Sequence, residues 1–282
     1  IYLIAPKCRG GFGKARMRMH DQGLYNRFQN LTFHLNPIPH FRFPLLSKCE
    51  GLAHAVFTRL GGTSNIPFES MNVSFNVGDD PGKVKTNLSR IRHSISARHL
   101  VTMNQIHGSN VIALSKEEIN RDIVLPESDA VVTNAPGAAL MVKLADCQGV
   151  ILFSRENNVL GIAHCGWKGN VANILGKTVL VMEKTFGCDP KELSVAISPS
   201  LGPCCGEFKG YGEIFPSEFS RFMEKENHFD LWAISRRQLI DAGVKEENIE
   251  TAGVCTRCNA DLFFSYRKNK VTGRFAVVAM LT

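Results

Sequence analysis

No apolar run in the chain approaches the roughly 20 residues that a membrane-spanning helix needs. The opening Ile-Tyr-Leu-Ile-Ala-Pro is too short, and lacks the basic lead, to serve as a secretory signal. Both absences point to a soluble protein. No internal repeat is present, and outside the N-terminal stretch there is no low-complexity tract. The nine cysteines are odd in number and scattered over 282 residues, which argues against a disulfide framework. Free thiols or metal ligands in a reducing, intracellular compartment, the cytoplasm first, are the expectation.

Charge is present in excess of one sign, but only locally. The formal net charge is +7, and residues 1–48 carry eight Lys or Arg against a single acid, Asp21. The rest of the chain holds 25 basic and 25 acidic residues, so the body is neutral and a nucleic-acid-binding face is not expected on it. The first 30 residues are basic and Gly-rich with no helical or strand period, which predicts a tail dispensable for catalysis and available to protein partners. The boundaries that follow are a tail or linker over residues 1–40 and one domain over 41–282. The chain opens on Ile1 rather than Met, which reads as a fragment or processed product.

Along the body, strand-like runs outnumber helical ones. LAHAVFTRLGGTS reads as a strand entering a Gly-Gly turn, and PFESMNVSFNVGDDPGKV as a second strand closed by turn residues. KVKTNLSRIRHSI has a helical rhythm, and LVTMNQIHGSNVIAL reads as strand, turn and strand around His107 and Gly108. Three runs rich in Val, Ile and Leu follow, then a helix with Val171, Ile174, Leu175 and Met182 on one face and Gly187 at its stop. A further helix stops at Gly243, and RFAVVAML closes the chain as a strand. The fitting class is α/β, with α+β as the variant: one sandwich domain with a large mixed sheet flanked by helices.

QIHGSN, LADCQG and IAHCGWKGN each set a metal-capable side chain beside small residues at a turn. His107, Cys147 and His164 make a three-ligand set of the kind a catalytic zinc uses, with copper as the alternative ion. Such an ion brings bound water to a pKa of about 7. The separations of 40 and 17 residues match no compact metal motif, so spacing alone is a weak signal. The same residues also suit a thiol hydrolase with Cys147 as nucleophile and His107 or His164 as its base, where Asp146 either orients an imidazole or caps a turn. The CTRC pair Cys255 and Cys258 has zinc-ribbon spacing, but no second CxxC exists, and it reads as structural packing. The vicinal Cys204 and Cys205 lie in a Gly/Pro loop that can line a pocket or simply pack, and Cys165 points away from His164 if the strand continues. Arg59, Lys168 and Arg267 sit near turns and together suit phosphate, and Trp167 offers a face for a base.

Taken in order, TRLGGTSNIPFESMNVSFNVGDDP, NQIHGSNV, ADCQGVILF, AHCGWKG, GPCCGEF, VCTRC and FFSYRKNKVTGR resemble the laccase-domain family, from Arg59 to Arg274 or roughly three quarters of the chain. The resemblance implies an α/β sandwich and a mononuclear zinc site on His107, Cys147 and His164. It implies phosphorolysis of adenosine, inosine, guanosine and S-methyl-5′-thioadenosine with phosphate as co-substrate, deamination of adenosine by attack at C6, and association with peroxisomes. The family's usual AGWRG reads CGWKG here, and Lys168 lacks the bidentate fork of Arg. Multicopper phenol oxidation, which the family's older name suggests, needs clustered His-x-His pairs, and none occurs among the nine His. It stands as the runner-up activity, and a non-enzymatic scaffold as the reading outside catalysis.

Overall fold

A strand that is apolar at every position, rather than at alternate ones, needs cover on both faces. In the computed structural model, which describes Phe28, residues 30–35 and residues 37–282, the long strands meet that condition. Fifteen strands occur among the described residues. They are β1 (Thr32–His34), β2 (His40–Arg42), β3 (Leu52–Phe57), β4 (His99–Met103), β5 (Val111–Leu114), β6 (Ile123–Leu125), β7 (Ala130–Thr133) and β8 (Ala138–Leu144). Then come β9 (Gln148–Ser154), β10 (Val159–Cys165), β11 (Leu193–Ile197), β12 (Met223–Lys225), β13 (His228–Phe229), β14 (Ile249–Thr251) and β15 (Phe275–Leu281). The helices are α1 (Pro44–Ser47), α2 (Pro81–Ser94), α3 (Trp167–Val171), α4 (Ile174–Phe186), α5 (Tyr211–Ile214) and α6 (Leu231–Asp241).

Seven strands form one mixed sheet in the order β1-β2-β3-β15-β8-β4-β6, and six form another in the order β14-β11-β9-β10-β7-β5. Between them Val56, Leu140, Val142 and Val277 of the first sheet pack on Ile151, Phe153, Leu160 and Ile162 of the second. On the outer face of the first sheet, Ile91 of α2 joins Ala55, Met141 and Val278. On that of the second, Leu175, Val179 and Met182 of α4 and Leu239 of α6 cover Val132, Val150 and Leu152. The result is the expected α/β sandwich, layered helix, sheet, sheet, helix. Each fully buried Val, Leu, Ile or Phe contributes roughly 1.5–3 kcal/mol. An exposed ion pair such as Arg237–Asp241 contributes at most about 1 kcal/mol. The inter-sheet core therefore dominates stability.

Local chemistry sets the helix ends. Asp80 caps α2 by accepting from the N–H groups of Gly82 and Lys83, with Pro81 in the first turn, and Asp230 caps α6 in the same way through Trp232 and Ala233. Gly187, at φ 70°, ends α4 as expected. Val171 does not share the buried face of α4. It belongs to the short α3 and is 40% exposed, because the chain turns at Asn173 before α4 begins.

Two other expectations are corrected, and the strand, turn and strand around His107 are found as expected. The segment PFESMNVSFNVG forms no strand, although Met71 and Val73 alternate inward. The Asn87 side chain of α2 donates to the carbonyls of Ser70 and Asn72, so these groups are satisfied without a strand partner. The folded domain begins before residue 41, since β1 pairs with β2 and buries Leu31 and Phe33. Most of the tail expected over residues 1–30 lies outside the described residues. At its end, however, the Phe28 ring meets Phe41 at 5.4 Å, and Asn30 donates to the Thr251 carbonyl. Finally, β4 and β5 do flank His107, but they lie in different sheets, as do β8 and β9 on either side of Cys147.

His54 on β3 supplies a pH test of this packing. Its Nε2 accepts the Phe43 N–H at 2.9 Å. Burial, and then the charge of Arg42, lowers its pKa from 6.5 to about 3. The unfolded chain takes up this proton below pH 6.5 and the folded chain only near pH 3, so stability falls as pH drops through that window. Urea unfolding at pH 7 and pH 4.5 should show His54 contributing a loss of about 2–3 kcal/mol at the lower pH. His54→Gln should lessen the pH slope by that amount; equal slopes in the two proteins would refute the assignment.

Candidate functional site

Among the described residues the chain passes from one sheet to the other six times, and two of these crossings carry two of the three predicted ligands. His107 lies in the turn between β4 and β5, and Cys147 in the turn between β8 and β9. His164 sits near the end of β10, paired with Gly149 on β9. Their ligand atoms all lie within 4.8 Å of one another, and the two imidazoles meet edge to face at 4.8 Å between centroids. The sequence expectation that small neighbours make room is met at Gly166, where a Cβ would fall 2.7 Å from the Cys147 sulfur.

The residue that organises this set is Asp129, at the start of the β7 run, and sequence reasoning missed it. One carboxylate oxygen accepts from His164 Nδ1 at 2.7 Å and from the His107 N–H at 3.0 Å. The other accepts from the Gly108 N–H at 2.6 Å and the Ile106 N–H at 3.3 Å. Asp129 is fully buried, and its pKa is lowered because these hydrogen bonds outweigh the cost of burial. Its only trace in the sequence is an acid immediately ahead of a buried strand. The turn it holds is strained, with His107 at φ 61°, and Asp146 beside Cys147 lies at φ 86°.

Electrostatics within the set favour a thiolate–imidazolium pair, whose His164 Nε2 proton an arriving ion must displace. Burial opposes ionisation of Cys147, yet the charge of His164 and hydrogen bonds from both imidazoles bring its thiol down to about 6. Burial likewise opposes protonation of His164, but the Cys147 thiolate and the bond to Asp129 raise it to about 9. The site therefore stabilises a thiolate at neutral pH, as a metal ligand or a thiol nucleophile requires. A tetrahedral zinc with bonds of about 2.0–2.3 Å wants donors roughly 3.3–3.8 Å apart. Asp129 occupies His164 Nδ1, which leaves Nε2 for an ion, the arrangement of a carboxylate-oriented metal histidine. These residues fit a single metal ion.

His107, Cys147 and His164 line a cleft of about 760 Å³. Of the expected binding residues, Trp167 and Arg267 line it too, whereas Arg59 and Lys168 do not. The Arg59 guanidinium is committed to the carbonyls of Glu69 and Ala260 and stacks 4.6 Å over Phe264, so it clamps two loops. Lys168 is exposed and its ammonium sits 5.5 Å from the Trp167 ring. The cleft also holds Lys143, Lys270, Arg274, Asn104, Phe208 and Tyr266, which sequence reasoning passed over. The motif FFSYRKNKVTGR contains four of the lining residues, and reading it whole rather than at Arg267 alone was the available signal. Asp146 contacts no imidazole through its carboxylate bonds. That group takes the Thr256 hydroxyl at 2.7 Å and the Arg267 N–H at 2.6 Å, tying the cationic loop to the ligand turn. Cys165 is buried on the helix-covered face, as alternation along the strand predicts.

Fold and site together define a two-sheet sandwich in which two crossover turns and the end of β10 bring together a metal-competent His-Cys-His set. Within that class the chain belongs to the family described as multi-copper polyphenol oxidoreductase laccase, whose model matches residues 53–282. A relative from Bacteroides thetaiotaomicron named purine nucleoside phosphorylase is 32% identical over 239 residues, covering 79% of this chain and 88% of the relative. Purine nucleoside phosphorylase YfiH of Escherichia coli is 30% identical over 244 residues, covering 83% and 95%. The crystal structure of Bacillus licheniformis hypothetical protein YfiH superposes with a TM-score of 0.80 at 25% identity, covering 89% of this chain and 99% of that one. No helix among the described residues is long and apolar enough to cross a membrane.

Asp129 should matter through the metal rather than through the substrate. Replacing it with Asn should lower stability, because an amide nitrogen cannot accept the N–H groups that one carboxylate oxygen takes, and should weaken retention of added zinc about 10- to 100-fold in a chelator competition on the folded protein. Cys147→Ala should lose one metal equivalent outright. Unchanged retention in both variants would show that this set holds no ion.

Proposed function

We propose that the chain is a purine nucleoside phosphorylase that joins inorganic phosphate to the ribose of a purine nucleoside and releases the base. The observation that carries this reading is the content of one cleft: the His107, Cys147 and His164 set, four cationic side chains and three aromatic rings share about 760 Å³, a volume within the usual range for small-molecule sites. The names of the relatives support the same chemistry.

Phosphorolysis forms a bond between a phosphate oxygen and C1′ while the C1′–N9 bond breaks, its electron pair leaving with the base. The chain must therefore hold an anion beside C1′ and hydrogen-bond the departing purine. Arg267, Lys270 and Arg274 are the cations for phosphate. Arg267 stacks on Phe208 at 5.3 Å, and Arg274 is held by the Thr272 and Gly273 carbonyls, so neither must be ordered from free rotation when the anion arrives. Lys143 donates to the Met103 carbonyl at 3.0 Å, which leaves two of its three protons for a ligand. Burial lowers its pKa, which eases transfer of a proton toward the leaving base. Trp167, Phe208 and Tyr266 offer faces for the purine, and Asn104 an amide for its edge.

Stacking tolerates changes at the purine 2- and 6-positions, so adenosine, inosine and guanosine are proposed substrates, together with S-methyl-5′-thioadenosine, which presents the same adenine as adenosine. Zinc is the proposed ion, held by His107, Cys147 and His164; when bound it supplies a Lewis acid and activated water at neutral pH, chemistry suited also to adenosine deamination. That second reaction would need no phosphate.

Mass spectrometry of purified protein given inosine, with and without phosphate, tests the reading. Hypoxanthine and ribose 1-phosphate should form only when phosphate is present. Arg274→Ala and Arg267→Ala should each cut phosphorolysis about 10- to 100-fold, as expected for loss of a charge-assisted contact worth roughly 1.5–3 kcal/mol. Adenosine-to-inosine conversion should be much less affected in both. Base release that ignores phosphate and yields free ribose would make the protein a hydrolase, and no turnover of any purine nucleoside would overturn the proposal.

A further inference from the structure

Two cysteine pairs far apart in sequence meet at one corner of the molecule, outside the His-Cys-His set. We propose that Cys204, Cys205, Cys255 and Cys258 form a second metal site, a structural one, that holds zinc in a tetrahedron of four sulfurs.

The sequence shows only half of a zinc knuckle, Cys255-x-x-Cys258, and on that ground reads as packing. The fold supplies the other half from the loop after β11. All four sulfurs lie within 4.8 Å of one another, with Cys204 to Cys258 at 3.6 Å and Cys205 to Cys258 at 3.5 Å. Four thiolates around zinc, at bonds of about 2.3 Å, stand roughly 3.8 Å apart. The observed spacing is close to that edge and far from a disulfide bond of about 2.05 Å. All four are free cysteines.

The surroundings suit an anionic tetrathiolate. The backbone N–H groups of Gly202 and Cys258 donate to the Cys255 sulfur, and Arg257 hydrogen-bonds the Cys205 sulfur. Cys205 and Cys255 are buried against Leu201 and Trp232, while Cys204 and Cys258 are exposed, so one side of the site is shielded and the other open for an ion to enter. Hydrophobic packing does not account for four thiols brought together when two of them face solvent.

An ion here would staple two loops that already run side by side, Ser200 accepting the Thr256 N–H at 2.9 Å and donating its own N–H to Val254 at 3.1 Å. Both loops lead to the cleft. Leu201 lines it and donates its N–H to the Asp146 carbonyl, while Thr256 donates to the Asp146 carboxylate. The ion would fix the cleft wall without touching substrate.

Elemental analysis of protein expressed with zinc should find about two ions per chain, one lost in Cys147→Ala and the other in the Cys204→Ser/Cys258→Ser variant, whose exposed positions spare the core. Should that variant fail to fold, iodoacetamide mapping of the wild-type protein gives an independent reading. The four cysteines should resist alkylation in the zinc-loaded protein and react after chelation, and cobalt in place of zinc should give the strong sulfur-to-metal absorption of a tetrathiolate. The proposal is overturned by a single zinc that depends on Cys147 alone, by alkylation of the four thiols in the zinc-loaded protein, or by a disulfide among them in the native chain. Copper in place of zinc after expression with both metals would overturn the identity of the ion.

Discussion

One buried carboxylate holds the centre of this molecule together. Asp129 takes the His164 imidazole with one oxygen and spans the backbone of the His107 turn with both, so three segments are registered to a single side chain. A buried carboxylate left without partners would cost several kcal/mol. Here every approach is a charge-assisted bond, and the strain of His107 at φ 61° is sustained because the turn has no alternative set of acceptors as good. The imidazole tautomer, the thiolate character of Cys147 and the position of the turn follow from that arrangement.

Why the ligands lie where they do follows from the layering. A chain that builds two stacked sheets must cross between them, and the crossings at residues 104–110 and 145–147 cannot join either ladder. Their backbone groups need other partners, which Asp129 and Leu201 supply. The His107 and Cys147 side chains thus stand on short connections, and the one that carries Cys147 joins the doubly buried β8 and β9. Turns so anchored can hold a ligand set without a ligand present.

Much of this was legible in the sequence. Doubly buried strands such as β9, β10 and β15 announce themselves as unbroken apolar runs, and helix α4 by its period and its terminal Gly187. His107, Cys147 and His164 were visible because each stands beside small residues at a turn. The remainder depended on contacts the chain order conceals. Asp129 acts across 22 and 35 residues, and the two cysteine pairs meet across about 50. Arg59 looked like a ligand for phosphate because a cation beside a Gly-Gly turn often is; its fork instead satisfies two carbonyls. Residues 31–40 were read as tail because a basic, Gly-rich context hid Leu31 and Phe33, whose burial is plain only against β2 and β3.

The aromatic side of the cleft has a different origin from its floor. Phe208 belongs to a small cluster with Phe215, Phe219, Phe229, Leu231 and Ile234, against which Trp167 packs, and this cluster carries its own two-stranded hairpin of β12 and β13. It is separate from the inter-sheet core. Substitutions there can reshape the aromatic wall of the cleft while leaving the His107 and Cys147 turns and the Asp129 carboxylate undisturbed. The architecture thereby divides the cleft between two separately packed units, so that its wall can change shape without moving its floor.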